Sequence, residues 1–146
     1  KLGENPIGLT NNIFPLILKV ASKKINQIEI FGNDWDTRDG TCLRDYIHIM
    51  DLANAHYKSL KFLEKSRGYK VFNIGTGNGY SVLELINTFE DATGLEVPKC
   101  FVKRRDGDAH SCYADPTKAR EILGWQSELD LRQMCLSSFE FSRVNI

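Results

Sequence analysis

The reading of this chain turns on Val71-Phe72-Asn73-Ile74-Gly75-Thr76-Gly77-Asn78-Gly79-Tyr80-Ser81-Val82-Leu83-Glu84. Val71 to Gly75 is a compact apolar run of strand length. Glycines at alternate positions then break it and permit backbone angles closed to other residues. Ser81 and Glu84 stand at capping-box spacing, where each side chain satisfies an N–H that a helix start leaves without a partner. Behind the box, Val82, Leu85, Ile86 and Phe89 recur on one helical face, and Gly94 ends the helix. Strand, turn and capped helix in that order form the building unit of an α/β fold.

The flanking sequence repeats the theme. Asn12 is placed to cap a helix whose apolar face is Ile13, Leu16, Ile17, Val20 and Ala21. Pro15 falls in its first turn, where a missing N–H costs little. Ile28 to Phe31 reads as a short strand and Gly32 to Gly40 as a polar loop. Arg44 to Ile49 alternates like a strand. Asp51 then opens a helix with Leu52, Ala55, Leu60, Phe62 and Leu63 inward, with Gly68 as its C-terminal cap. Cys100 to Lys103 reads as a strand. Asp115-Pro116 is an N-cap with proline at the first helical position of a short helix stopping at Gly124. A last helix, from about Asp130 to Arg143, turns Leu131, Met134, Cys135 and Phe139 inward. The class is α/β, with helices in excess of short strands.

Composition excludes several function classes. The 146 residues carry 19 Lys+Arg against 19 Asp+Glu, with 42% hydrophobic residues. Such a chain can build a core and is not a disordered tail. Zero net charge argues against general nucleic-acid or membrane-surface binding, so any basic site is local. Apolar stretches such as Ile13 to Ala21 fall far short of a membrane span. Lys1-Leu2-Gly3-Glu4-Asn5-Pro6 matches neither a signal peptide nor a basic presequence. Cys42, Cys100, Cys112 and Cys135 form no CxxC pair, and we read them as reduced thiols of a cytoplasmic protein.

The chemistry-bearing residues are few. Gly75, Gly77 and Gly79 give G-x-G-x-G, one residue short of the dinucleotide fingerprint, and a turn leading into the capped helix explains them. His48 reads as a satisfied core histidine and His56 as structural. His110, in a polar loop, is open to either reading. The pairs Asp34/Asp36 and Asp106/Asp108 read as solvated loop faces. The run Lys103-Arg104-Arg105 leaves a strand and meets Asp106-Gly107-Asp108. By itself it suits a solvated hairpin. An arginine at a strand end also suits a phosphate, which its planar fork can clamp, and a nearby carboxylate suits ribose hydroxyls. Arg44 is a second such arginine. Two separated arginines and an asparagine at a helix start would suit a diphosphate.

Four blocks carry a family resemblance. They are Asn11-Asn12-Ile13-Phe14-Pro15, Ile30-Phe31-Gly32-Asn33-Asp34, Asp39-Gly40-Thr41-Cys42-Leu43-Arg44-Asp45-Tyr46-Ile47-His48-Ile49 with Asp51-Leu52-Ala53, and Arg104-Arg105-Asp106-Gly107-Asp108 with Tyr113-Ala114-Asp115. In order and spacing the chain resembles the C-terminal half of the UDP-glucose 4-epimerase family, a group of extended short-chain dehydrogenases/reductases. Asn73-Ile74-Gly75-Thr76-Gly77 and Leu123-Gly124-Trp125 fit as well.

The resemblance implies one domain over 1–146: the UDP-sugar-binding C-terminal region of an extended Rossmann-type epimerase, with a remnant strand (Val71 to Gly75) and helices of the NAD-binding sheet. It implies that Asn12 contacts the UDP diphosphate and that Glu29, Ile30 and Phe31 hold uracil through backbone groups. Many relatives carry a smaller residue where Glu29 stands. Arg44 and Arg105 are the implied phosphate-binding arginines and Asp108 the implied ribose acceptor. Cys112 falls at the sugar end, where a small residue makes a pocket roomy enough for N-acetylated sugars.

The resemblance also implies what lies elsewhere. The NAD fingerprint, the catalytic serine and the catalytic tyrosine and lysine of a Y-x-x-x-K helix belong to the family's N-terminal half, and we read no tyrosine here as standing four residues before a lysine, so we expect no catalytic or cofactor-binding residue. The chain is then expected to be a fragment, inactive alone. Its parent would be a cytoplasmic, homodimeric isomerase using tightly bound NAD to invert C4 between UDP-glucose and UDP-galactose, and, through Cys112, UDP-N-acetylhexosamines. The alternatives are half of a related nucleotide-sugar epimerase or dehydratase, or a stand-alone UDP-binding module.

Overall fold

The computed structural model describes Glu4, Thr10 and residues 12–145. In chain order the elements are α1 (Ile13–Ala21), β1 (Ile28–Phe31), β2 (Leu43–Arg44), α2 (Ile49–Leu63), β3 (Tyr80–Ser81), α3 (Val82–Thr93), β4 (Lys99–Val102), β5 (Ser111–Cys112), α4 (Thr117–Leu123) and α5 (Leu131–Asn145). β1 pairs in parallel with β4, Ile28 opposite Lys99 and Phe31 opposite Val102. β2 lies between β3, antiparallel, and β5, parallel.

The helical periodicities read from sequence build the main core. Ile17, Leu18 and Val20 of α1 meet Ile28 and Ile30 of β1, Leu85, Ile86 and Phe89 of α3, and Leu131, Met134 and Cys135 of α5. Complete burial of a side chain such as Leu85 or Phe89 contributes roughly 1.5–3 kcal/mol. The α3 box forms as expected. Ser81 Oγ accepts from Glu84 N at 2.9 Å and Glu84 Oε2 accepts from Ser81 N at 2.7 Å. Gly94 closes α3 at φ 70°.

A smaller cluster joins α2 to α4 through Ala55, Ala119 and the fully buried Trp125. Trp125 Nε1 donates to Asp51 O at 3.0 Å. The buried Asp51 carboxylate accepts from Glu128 N and Leu129 N at 3.1 and 3.0 Å. It also sits in the first turn of α2, where negative charge is favoured.

Several boundaries differ from the sequence reading. The strand expected over Arg44 to Ile49 is Leu43–Arg44 alone, because its neighbours β3 and β5 are equally short. His48, not Asp51, caps α2, its Nδ1 accepting from Met50 N at 3.1 Å. Gly68 is not the cap of that helix, which ends at Leu63 with Glu64 in the cap position. Val71 to Gly75 forms no strand. No neighbouring strand pairs with it among the described residues, and Phe72 and Ile74 instead pack on the Trp125 cluster. The fourth helix starts one residue later than expected, with Pro116 in the cap position. Asp115 Oδ1 still accepts from Thr117 N, at 3.0 Å.

Candidate functional site

A cleft of about 610 Å³ opens beside β1. Asn12, Glu29, Ile30, Phe31, Arg44, Arg105 and Asp108 all line it, although they come from four separate stretches of chain. Sequence reasoning had not placed Cys42, Tyr46 and Gln27 there. Cys112 is not among the lining residues. It is exposed on β5, in register with Arg44.

β1 supplies one wall. On its β4 side, Ile28 N and Gly32 N donate to Pro98 O and Val102 O at 2.8 and 2.9 Å. Alternation along a strand turns the N–H groups of Glu29 and Phe31 to the opposite edge. That edge pairs with no strand among the described residues. It offers backbone donors and acceptors to a planar heterocycle. Asn12 occupies the N-cap position of α1, but its side chain does not cap the helix. Its Nδ2 donates to Glu4 Oε1 at 2.8 Å.

The two arginines are held differently. Arg44 Nη1 donates to Leu43 O and Ala109 O at 2.8 and 2.9 Å, which leaves Nη2 toward Asp108 Oδ1 at 3.5 Å. Arg105 Nε donates to Asp108 Oδ2 at 3.0 Å, and its guanidinium lies 4.4 Å above the Phe31 ring. Asp108 thus stands between both cations. Arg104, next to Arg105 in sequence, turns away, stacks 4.0 Å over Trp35 and pairs with Asp34 Oδ1 at 2.7 Å. Trp35 Nε1 in turn donates to Phe31 O at 2.9 Å. A Cβ on Gly32, at φ +88°, would lie 2.4 Å from that Nε1, so glycine is required there.

Two aspartates that sequence reasoning missed brace this arrangement. Asp39 accepts from Thr41 N and Thr41 Oγ1 at 2.9 and 2.8 Å, and from Ser81 Oγ. This couples the entry to β2 with the cap of α3. Burial alone would raise the Asp39 carboxyl, but these bonds and the charge of Arg38 outweigh it and hold it below its usual value. Asp45, just after β2, accepts from Thr76 N at 2.9 Å, Thr76 Oγ1 at 2.6 Å, and Gly77 N and Ala114 N at 3.1 Å each. The only sequence signal for either was their place in the Asp39-to-Asp45 block. The N–H groups of the glycine turn are therefore engaged by a carboxylate, and Asn78 N donates to Thr76 Oγ1 at 3.1 Å. The turn reading holds, and these residues do not fit a dinucleotide-phosphate cradle.

The catalytic expectation overlooked one spacing. Tyr57 does stand four residues before Lys61. Both lie on α2 outside the cleft, with Tyr57 61% exposed and Lys61 Nζ 3.1 Å from Glu64 Oε1. His48 Nε2 lies 2.9 Å from Ser137 Oγ and His56 Nδ1 2.8 Å from Leu52 O, both structural contacts. His110 Nε2 lies 3.3 Å from Ser111 Oγ. Tyr46, which lines the cleft, has its phenol pushed up by burial. Among the described residues no cluster of His, Cys, Asp and Glu fits a metal ion, and no helix is long and apolar enough to cross a membrane.

The sequence model of the family described as GDP-mannose 4,6 dehydratase matches residues 3–137. The chain belongs to that family. Within it, the chain resembles UDP-glucose 4-epimerases over its whole length. It is 46% identical to the UDP-glucose 4-epimerase of Bacillus subtilis over 146 residues, all of this chain and 43% of that protein. The structure of the Stenotrophomonas maltophila UDP-glucose-4-epimerase, with bound NAD and formylated UDP-arabinopyranose, superimposes with a TM-score of 0.96 at 44% identity. That match covers 99% of this chain and 43% of the other. The Bifidobacterium longum UDP-glucose 4-epimerase, in complex with NAD+ and UDP, gives 0.93 at 43% identity with the same coverage. The chain thus spans less than half the length of the relatives it matches, with an α/β fold matching part of an extended Rossmann-type enzyme.

Proposed function

We propose that this chain is the UDP-sugar-binding, C-terminal region of a UDP-hexose 4-epimerase, acting as one domain over residues 1–146. The observation that carries the reading is the placement of Arg44 and Arg105 on the same cleft as the open edge of β1. Backbone groups of Glu29 and Phe31, flanked by Ile30, hold uracil. Asp108 accepts from the ribose hydroxyls. Arg44, Arg105 and Asn12 hold the diphosphate, whose charge several donors must share. The epimerase relatives with UDP or a UDP-sugar bound support this assignment. A rigidly held nucleotide lets binding energy orient a sugar that must itself turn.

The activity we propose for the full-length protein is interconversion of UDP-glucose and UDP-galactose by inversion at C4, with NAD supplying the redox chemistry. The residues described here do not fit an NAD site, so no chemical step is assigned to them. Cys112, exposed beside Arg44, sets the sugar end together with residues outside this chain, and its small size suits UDP-N-acetylhexosamines also. The same reading makes the parent a cytoplasmic homodimer, and the free thiols of all four cysteines accord with that compartment.

Calorimetric titration of the full-length polypeptide with UDP tests the binding assignment. Saturable binding is expected, weakened roughly tenfold or more by Arg44→Ala or Arg105→Ala, since each removes a charged donor. Absence of UDP binding, or binding indifferent to both substitutions, would overturn it. Conversion of UDP-galactose to UDP-glucose is expected from the full-length polypeptide and not from this chain alone.

A further inference from the structure

We infer that Asp108 is a selectivity element, a built-in counter-ion that occupies the anion site until a nucleoside diphosphate re-houses it. This rests on the nucleoside-diphosphate reading of the cleft and goes beyond a role as ribose acceptor. Asp108 Oδ2 is 3.0 Å from Arg105 Nε, and its Oδ1 is 3.4 Å from Arg105 Nη2 and 3.5 Å from Arg44 Nη2. One carboxylate therefore engages both cations of the cleft. Its side chain is only 18% exposed, whereas that of Arg105 is 48% exposed. Arg44 cannot swing away freely, because Leu43 O and Ala109 O hold its other nitrogen. An incoming phosphate must compete with Asp108 for the same N–H groups.

The competition separates ligands by what they return to Asp108. Inorganic pyrophosphate displaces the carboxylate and leaves it partly buried beside a new anion, with no donor in exchange. A nucleoside diphosphate brings two vicinal hydroxyls, which can donate to the displaced carboxylate while the arginines take the phosphates. Discrimination against free phosphates then comes from repulsion and lost pairing, not only from contacts to the base.

Binding of pyrophosphate, UDP and 2′,3′-dideoxy-UDP is measured by calorimetry on the full-length protein, unsubstituted and with Asp108→Asn or Asp108→Ser. Thermal melts of each variant identify those that remain folded. The unsubstituted protein is expected to bind UDP well, dideoxy-UDP less well and pyrophosphate weakly. Either neutral variant is expected to bind pyrophosphate roughly tenfold more tightly, the size of one charged contact. The preference for UDP over dideoxy-UDP should shrink in both. Unchanged or weaker pyrophosphate binding in folded variants, with UDP binding intact in the unsubstituted protein, would overturn the counter-ion role and leave the cleft assignment standing. Failure of the unsubstituted protein to bind UDP would instead overturn the cleft assignment, and this inference with it.

Discussion

A Cβ placed on Gly75 would lie 2.4 Å from Asp45 Oδ2 and 2.7 Å from the Cβ of Ala114. The carboxylate can reach the N–H groups of Thr76, Gly77 and Ala114 only because position 75 carries no side chain. Asp45 follows Arg44 directly, so the same bonds fix where the cleft arginine begins. Gly75→Ala should therefore destabilise the protein by about 2–3 kcal/mol, and Asp45→Asn by about 1–3 kcal/mol, because the part-buried N–H groups lose a charged acceptor. Chemical denaturation at neutral pH measures both. Gly94→Ala is the milder control, since nothing lies within 4 Å of its Cβ position and only its φ of +70° opposes it.

Acid should loosen the junction between β2 and α3. Asp39 and Glu84 both sit below their usual values, because hydrogen bonds and Arg38 outweigh their burial. A carboxyl depressed on folding contributes stability that is present above its unfolded pKa and lost as pH falls through its folded one. The loss should begin near the ordinary carboxylate range, roughly pH 4, and continue below it. Asp39→Asn is expected to lower stability at neutral pH and flatten this acid limb of a denaturation series. A limb unchanged by the substitution would assign the acid loss to other groups.

Cysteine labelling should be ordered by burial. Cys112 is exposed, whereas Cys42 and Cys135 are buried. Burial also pushes the Cys135 thiol up to about 12, so thiolate is scarce there at neutral pH. A thiol reagent near pH 8 is expected to modify Cys112 first, and Cys42 and Cys135 only on unfolding. Mass spectrometry of timed samples reads the order.

Tyr57 and Lys61 should be dispensable for nucleotide binding despite their suggestive spacing. Tyr57→Phe and Lys61→Met are expected to leave the UDP dissociation constant within about twofold, the scatter of surface substitutions. A larger change would mean that α2 reaches the cleft by a route its present placement does not provide.

The outer face of α2 predicts poor behaviour of this chain in isolation. Ile49, Met50, Tyr57, Leu60 and Leu63 are each more than half exposed, so Leu60 and Leu63, expected inward from periodicity, face out because no described element covers that side of α2; Tyr69 and Val71 are exposed as well. Apolar exposure of this kind drives association. Sedimentation of the 146-residue chain should show concentration-dependent species heavier than 16.6 kDa, and the melt should be broad. A monodisperse monomer with a sharp two-state melt would contradict this.

Much of the molecule was already determined by the sequence. The Ser81–Glu84 box, the Gly94 stop and the apolar faces of α1, α3 and α5 all form as read, because helix hydrogen bonds and caps join residues three or four apart. Asn12, Glu29, Ile30, Phe31, Arg44, Arg105 and Asp108, singled out mainly by the family resemblance of the motif blocks, all line one cleft, whereas Cys112 does not and Gln27, Cys42 and Tyr46 were not foreseen there. Tertiary structure decided the rest. Val71 to Gly75 has strand composition but no neighbour among the described residues to complete a ladder, and Arg44 to Ile49 lost most of its strand for lack of long partners. Arg104 and Arg105 are identical in type and adjacent, yet one stacks on Trp35 and the other lines the cleft. What separates them is what the fold brings near: Asp34 and Trp35 reach Arg104, and Phe31 reaches Arg105, from distant stretches, whereas Asp108 lies three residues beyond Arg105. Arg105 finds its carboxylate three residues on, but a strand's partner and the pairing of Arg104 with Asp34 are long-range quantities, and local pattern does not contain them.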